Sequence, residues 1–105
     1  MQMKRIISTS EIIGSFTRGE HQFEVCATAE ANFDEAKSQM KLELDSFIRP
    51  VDIRAKEKHL AADWLPKKQS LTEAVSQDEA VALAKEIFDR WVGKVRQSVP
   101  LPIHN

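Results

Sequence analysis

The chain is poor in the residues that usually announce a specialised protein: in 105 residues it has one cysteine, three glycines and four prolines. A lone Cys26 excludes an internal disulfide, so the fold must stand on its core, and it fits a reducing compartment. So few glycines and prolines exclude a low-complexity or largely disordered chain. No stretch approaches the length of apolar sequence that spans a bilayer, about 18 residues or more. The start, Met-Gln-Met-Lys-Arg, resembles the charged region of a signal peptide. However, Ile6-Ile7 gives way at once to Ser-Thr-Ser-Glu, which is too short an apolar core for export. The expectation is a soluble cytoplasmic protein with no membrane contact. An excess of one charge is also missing: 15 Lys and Arg stand against 16 Asp and Glu. That balance is no nucleic-acid signature for the whole chain.

Catalytic and metal signatures are equally sparse. His21, His59 and His104 are scattered, and none has a second His or Cys at ligand spacing. No Gly-x-Ser-x-Gly elbow occurs, and Arg18-Gly19 is too little glycine to cradle a phosphate. Asp34-Glu35 and Asp78-Glu79 are read as first-turn helix residues that favour the positive end of the dipole. Cys26 is read as inert, alternating out of the apolar face with Glu11 as its cross-strand neighbour. The reading is therefore non-enzymatic, with no catalytic residue, no metal and no cofactor.

What is present suits one small domain, residues 1–105, with a modest core. The apolar fraction of 42% and charged fraction of 30% are ordinary for a globular chain. In His21–Ala27, the residues His21, Phe23, Val25 and Ala27 alternate with Gln22, Glu24 and Cys26, and Ile12, Gly14 and Phe16 hold the even positions of Glu11–Phe16. Period two with one apolar face predicts a β-hairpin. Gly19 supplies the turn, and the pairing expected is Phe16 with His21, Gly14 with Phe23 and Ile12 with Val25. The first strand is expected to reach back to Lys4, interrupted near Ser8-Thr9-Ser10. A short helix over Ser10–Phe16 is the rival reading.

Helices are expected next. Asn32 can cap one, with Glu35 as reciprocal acceptor and Phe33, Ala36, Met40, Leu44, Phe47 and Ile48 as its stripe. Pro50 ends it. A second, thinner helix is expected from Asp52 to Trp64 or Leu65, then a flexible loop over 66–74. The clearest element is Ser76 to Gln97. Ser76 and Glu79 make a capping box, and Ala80, Val81, Ala84, Ile87, Phe88, Trp91, Val92 and Val95 form a wide apolar stripe that Leu83 broadens further. Gly93 suggests a close helix crossing. An extended tail, 99–105, follows. The fold class expected is α+β: an N-terminal antiparallel β-hairpin, or three short strands, packed on two long amphipathic helices and one shorter helix.

Two features carry the functional reading. The breadth of the last helix points to an interface at Phe88, Trp91, Val92 and Val95, since Trp is enriched at binding hot spots. The charge is also split, with an acidic block over 20–48 followed by a basic one over 49–68. The blocks either complement each other within the chain or offer two faces to different partners. Arg54, Lys56, Lys58, Lys67 and Lys68 are the candidates for contact with an acidic protein or with nucleic acid. The function expected is a small protein-binding module of adaptor or inhibitor type, bacterial or phage, acting as a homodimer. Its partner would be another protein or a second copy. The alternatives are a nucleic-acid-binding protein using residues 49–68, and a ligand-binding or enzymatic domain with a pocket between hairpin and helices.

Overall fold

The computed structural model describes residues 3–52 and 62–100. Strands β1 (Met3–Arg18), β2 (His21–Asp34), β3 (Gln39–Pro50) and β4 (Gln69–Ala74) precede one helix, α1 (Gln77–Ser98). The strands form a single antiparallel sheet in the order β1-β2-β3-β4. With 16 residues, β1 would extend about 53 Å at ~3.3 Å per residue. It sets the long dimension of a body measuring 51 × 26 × 21 Å.

The hairpin is present, longer than expected and in a different register. Phe16 lies opposite Phe23 and Gly14 opposite Val25, and Arg18 and His21 close a turn made of Gly19 and Glu20. Gly19 has φ +64°, a conformation that costs a side-chain-bearing residue strain. Expected pairings are displaced because the turn is tighter than assumed and because the register shifts between Ile12 and Gly14. That bulge leaves Ile12 opposite Cys26. A second irregularity lies between Arg5 and Ile7. Ser10–Phe16 is strand throughout, not helix.

The long helix expected after Asn32 does not exist. Its residues form the end of β2, a turn, and β3. Met40, Leu42 and Leu44 are buried and alternate with Lys41, Glu43 and Asp45, which is a strand's period of two. Spacings of three and four among Phe33, Ala36, Met40 and Leu44 mimic a helical stripe, yet Leu42 would have fallen on its polar side. Ala27, Ala29 and Ala31 are helix formers by propensity, but here they are the small, buried, helix-facing residues of a central strand. Asn32 caps nothing. Instead Asp34, only 1% exposed, turns its Oδ1 back to accept the amides of Ala36 (3.0 Å) and Lys37 (3.3 Å). Ser38 completes this turn with φ +50°.

The segment expected as a loop contains β4, paired from Gln39↔Ala74 to Leu44↔Gln69. Only Leu71 of β4 is an apolar anchor against the core, so the strand's alternation is faint. Most of the thinner helix expected from Asp52 lies outside the described residues. Of its described part, Ala62–Leu65 is a turn in which the Leu65 amide donates to the Ala62 carbonyl (3.2 Å). The architecture is thus a four-stranded sheet with one described helix, rather than a hairpin on two long helices and a shorter one.

The helix α1 matches the expected span within a residue. Ser76 stands at the N-cap in extended geometry, but its side chain makes no cap bond. The first turn closes through its carbonyl, which accepts the amides of Glu79 (3.1 Å) and Ala80 (3.0 Å). The capping box is therefore not formed. Ala80, Ala84, Phe88, Trp91, Val92 and Val95 are buried, joining the sheet's inward row in one cluster that includes Phe23, Val25, Phe33, Met40, Leu42, Leu44 and Ile48. Gly93 marks no close crossing, because a Cβ placed there would meet nothing within 4 Å.

Candidate interaction surface

The four residues expected at an interface are covered by their own sheet. Val95 is 0% exposed, Trp91 3%, Val92 6% and Phe88 9%. Trp91 also donates its indole Nε1–H to the Asp45 carbonyl (2.9 Å). The second half of α1 is occupied within one chain, and the breadth of its stripe is accounted for by the width of the sheet beneath it.

The expected basic surface is only partly visible. Arg54, Lys56 and Lys58 lie outside the described residues, as do His59 and His104. Lys67 is exposed, and Lys68 Nζ lies 3.5 Å from Glu43 Oε2. Arg49 Nε meets Glu24 Oε1 at 3.2 Å. These two contacts join the basic block to the acidic one within the chain. A reason is visible in the register: Glu30 and Glu43 stand directly opposite each other on β2 and β3. Like charges so placed repel. Arg5 reaches Glu30 from β1 (2.8 Å), while Lys68 reaches Glu43 from the other side. Exposed pairs of this kind contribute at most about 1 kcal/mol each. Their effect is to relieve the sheet face that α1 leaves uncovered, where Ser8, Ser10, Thr28, Glu30, Glu43, Asp45 and Lys68 line a shallow groove of about 350 Å³.

Cys26 lies in a cross-strand row with Ile12 and Phe47 on that same face, and is 2% exposed. Its neighbour is Ile12 and not Glu11. Burial pushes the thiol above its ordinary pKa; Arg49 opposes the rise and Glu24 adds to it. A thiol held protonated is a poor nucleophile and a poor metal ligand. Among the described residues no cluster of three or more His, Cys, Asp or Glu side chains could hold a metal ion, and no helix is long and apolar enough to cross a membrane.

The feature that sequence reasoning missed is the outer edge of β1. No strand pairs with it among the described residues. Its free backbone groups can be identified from the register. The Val51 amide donates to the Gln22 carbonyl (2.9 Å), so even-numbered residues of β2 turn their backbone groups toward β3. Odd-numbered ones turn toward β1. Ser8, Ser10 and Ile12 lie opposite Glu30, Thr28 and Cys26, and therefore direct their N–H and C=O groups outward. Ile7, Thr9 and Glu11, opposite Ala31, Ala29 and Ala27, direct theirs into the sheet. The two register shifts bracket Ile7–Ile12, leaving a regular stretch about 20 Å long between kinks. Met3 (40% exposed) and Ile12 (51%) place exposed large apolar side chains on the same strand. Along its helix side runs a groove of about 420 Å³ lined by Ile6, Ile7, Thr9, Lys85, Phe88 and Asp89.

Comparison of the chain with family models, curated proteins and solved structures finds no match.

Proposed function

We propose that this protein is a small non-enzymatic binding module that takes an extended segment of polypeptide onto the outer edge of β1. The observation that carries the reading is the edge itself, which no described strand pairs. A strand edge offers a row of free donors and acceptors that another chain can complete, and proteins that do not use such an edge shorten it, cover it, or interrupt it with proline, charges or bulges. The two bulges of β1 lie at the ends of Ile7–Ile12 and leave that stretch regular. β1 is the longest strand described and contains no proline. Its only charge between the two kinks is Glu11. Main-chain bonds to Ser8, Ser10 and Ile12 would supply affinity, and the grooves on either side would select alternate side chains. The adaptor or inhibitor role expected from the sequence fits this mode, with the edge in place of the covered helix face.

The test is binding to an array of twelve-residue peptides of varied sequence, using the intact chain and Ser10→Pro. Proline at Ser10 removes an outward amide and none of those bonded to β2. Peptides bound by the intact chain should lose at least about tenfold in affinity, roughly the 1.4 kcal/mol expected from one or two bonds. Equal binding by both forms would refute the reading.

A further inference from the structure

Resting on that reading of the β1 edge, we infer that its occupant is a second copy of this chain, paired antiparallel about a two-fold axis at Thr9. A two-fold interface requires one patch to complement itself. Residues 8–10 read Ser-Thr-Ser, a segment symmetric about Thr9. Antiparallel pairing must also match outward-facing residues with outward-facing ones. Centring on Thr9 does so, because Ser8 meets Ser10 of the second copy and Ser10 meets its Ser8. At the axis Thr9 meets Thr9, and hydroxyl pairs of this kind are favourable neighbours across strands.

Charge fixes the same arrangement. Glu11 of the second copy falls opposite Ile7, on the side of the sheet that faces α1. Ile7 lines the groove that also holds Lys85 and Asp89. The helix starts beside the β2–β3 turn, where the Val75 amide donates to the Ser38 carbonyl (3.1 Å), and Arg96 near its end shares a groove with Ile13. β1 and α1 therefore run in the same direction, and Lys85 lies nearer the Ile7 end of the groove than Asp89 does. Glu11 arrives at that end. Both Glu11 and Lys85 are exposed and have no ion-pair partner among the described residues. The symmetry makes the contact twice. The two sheets join into one continuous eight-stranded sheet.

Light scattering on the intact chain over low to high micromolar concentrations tests this. The expected mass is twice 11.9 kDa. Glu11→Lys alone and Lys85→Glu alone should each weaken association at least about tenfold, one such step being ~1.4 kcal/mol. The two together should restore it. Ser10→Pro should be monomeric with an unchanged circular dichroism spectrum. If Ser10→Pro fails to fold, the charge exchange decides alone. A monomer at every concentration would overturn the second-copy proposal, as would a dimer indifferent to both reversals. Peptide binding at β1 by such a monomer would leave the edge reading standing. Loss of both would remove the two together.

Discussion

Replacing Trp91 distinguishes a helix face that is core from one that is an interface. Trp91 is 3% exposed and holds the Asp45 carbonyl at 2.9 Å. Phenylalanine keeps much of the ring but removes the indole N–H. The lost hydrogen bond should cost about 0.5–1.5 kcal/mol. The smaller ring leaves space beside Val92, Val95 and the sheet, for a further ~1 kcal/mol at about 24 cal/mol per Å³ of unfilled volume. The expected total for Trp91→Phe is therefore roughly 1.5–2.5 kcal/mol, and Trp91→Ala should cost about 3–5 kcal/mol. Urea unfolding followed by circular dichroism measures both, with the slope unchanged and the midpoint lowered. Because the residue is covered within one chain, the loss should be the same at low and high protein concentration. A Trp91→Phe protein of unchanged stability but weakened self-association would refute the reasoning and return the interface to α1.

Other changes probe other parts of the account. Gly93→Ala should stabilise by about 0.5–1 kcal/mol, because a Cβ there meets nothing and alanine favours helix; a raised urea midpoint checks it. Asp34→Ala should cost about 1–3 kcal/mol in the same assay, since two turn amides lose their acceptor at a buried site. Cys26 should resist a maleimide at neutral pH until the protein is unfolded, because burial holds the thiol protonated. The same raised pKa has a linkage consequence. Above the ordinary thiol value of about 8.5 the unfolded chain releases its proton before the folded one, so stability falls. Below that value both states keep the proton and the effect vanishes. The intact chain should therefore lose stability relative to Cys26→Ala as pH rises from 8 to 10, measured by the difference in urea midpoints.

The sequence was most legible where one period governed a long segment. In α1 the stripe from Ala80 to Val95 matches a helix and no strand, so its span was readable. β2 was readable only as far as Ala27. Beyond that, Ala29 and Ala31 carry helix propensity, and it is pairing on both sides that makes them strand. In β3 two periods competed: Met40, Leu42 and Leu44 against Lys41, Glu43 and Asp45 favour two, while the wider spacing from Phe33 to Leu44 imitates 3.6. Weighing Leu42 would have decided for the strand. β4 gave almost no signal, because an edge strand anchored by Leu71 need not alternate strongly. The candidate surface was hidden for a different reason. An unpaired edge is a property of sheet order, and Ser8, Ser10 and Ile12 acquire free amides only because β1 stands outermost. The wide apolar stripe of α1 demands a broad surface, and a sheet of four strands supplies what two could not.

Amide hydrogen exchange along β1, followed as a function of protein concentration, tests the central claim most directly. The amides of Ile7, Thr9 and Glu11 point into the sheet and should exchange slowly at every concentration. Those of Ser8, Ser10 and Ile12 should exchange fast in dilute solution. They should become protected, together, over the concentration range in which light scattering reports the dimer. Ser8, Ser10 and Ile12 amides that stay fast in the associated form, or that are already slow in the dilute monomer, would contradict the account.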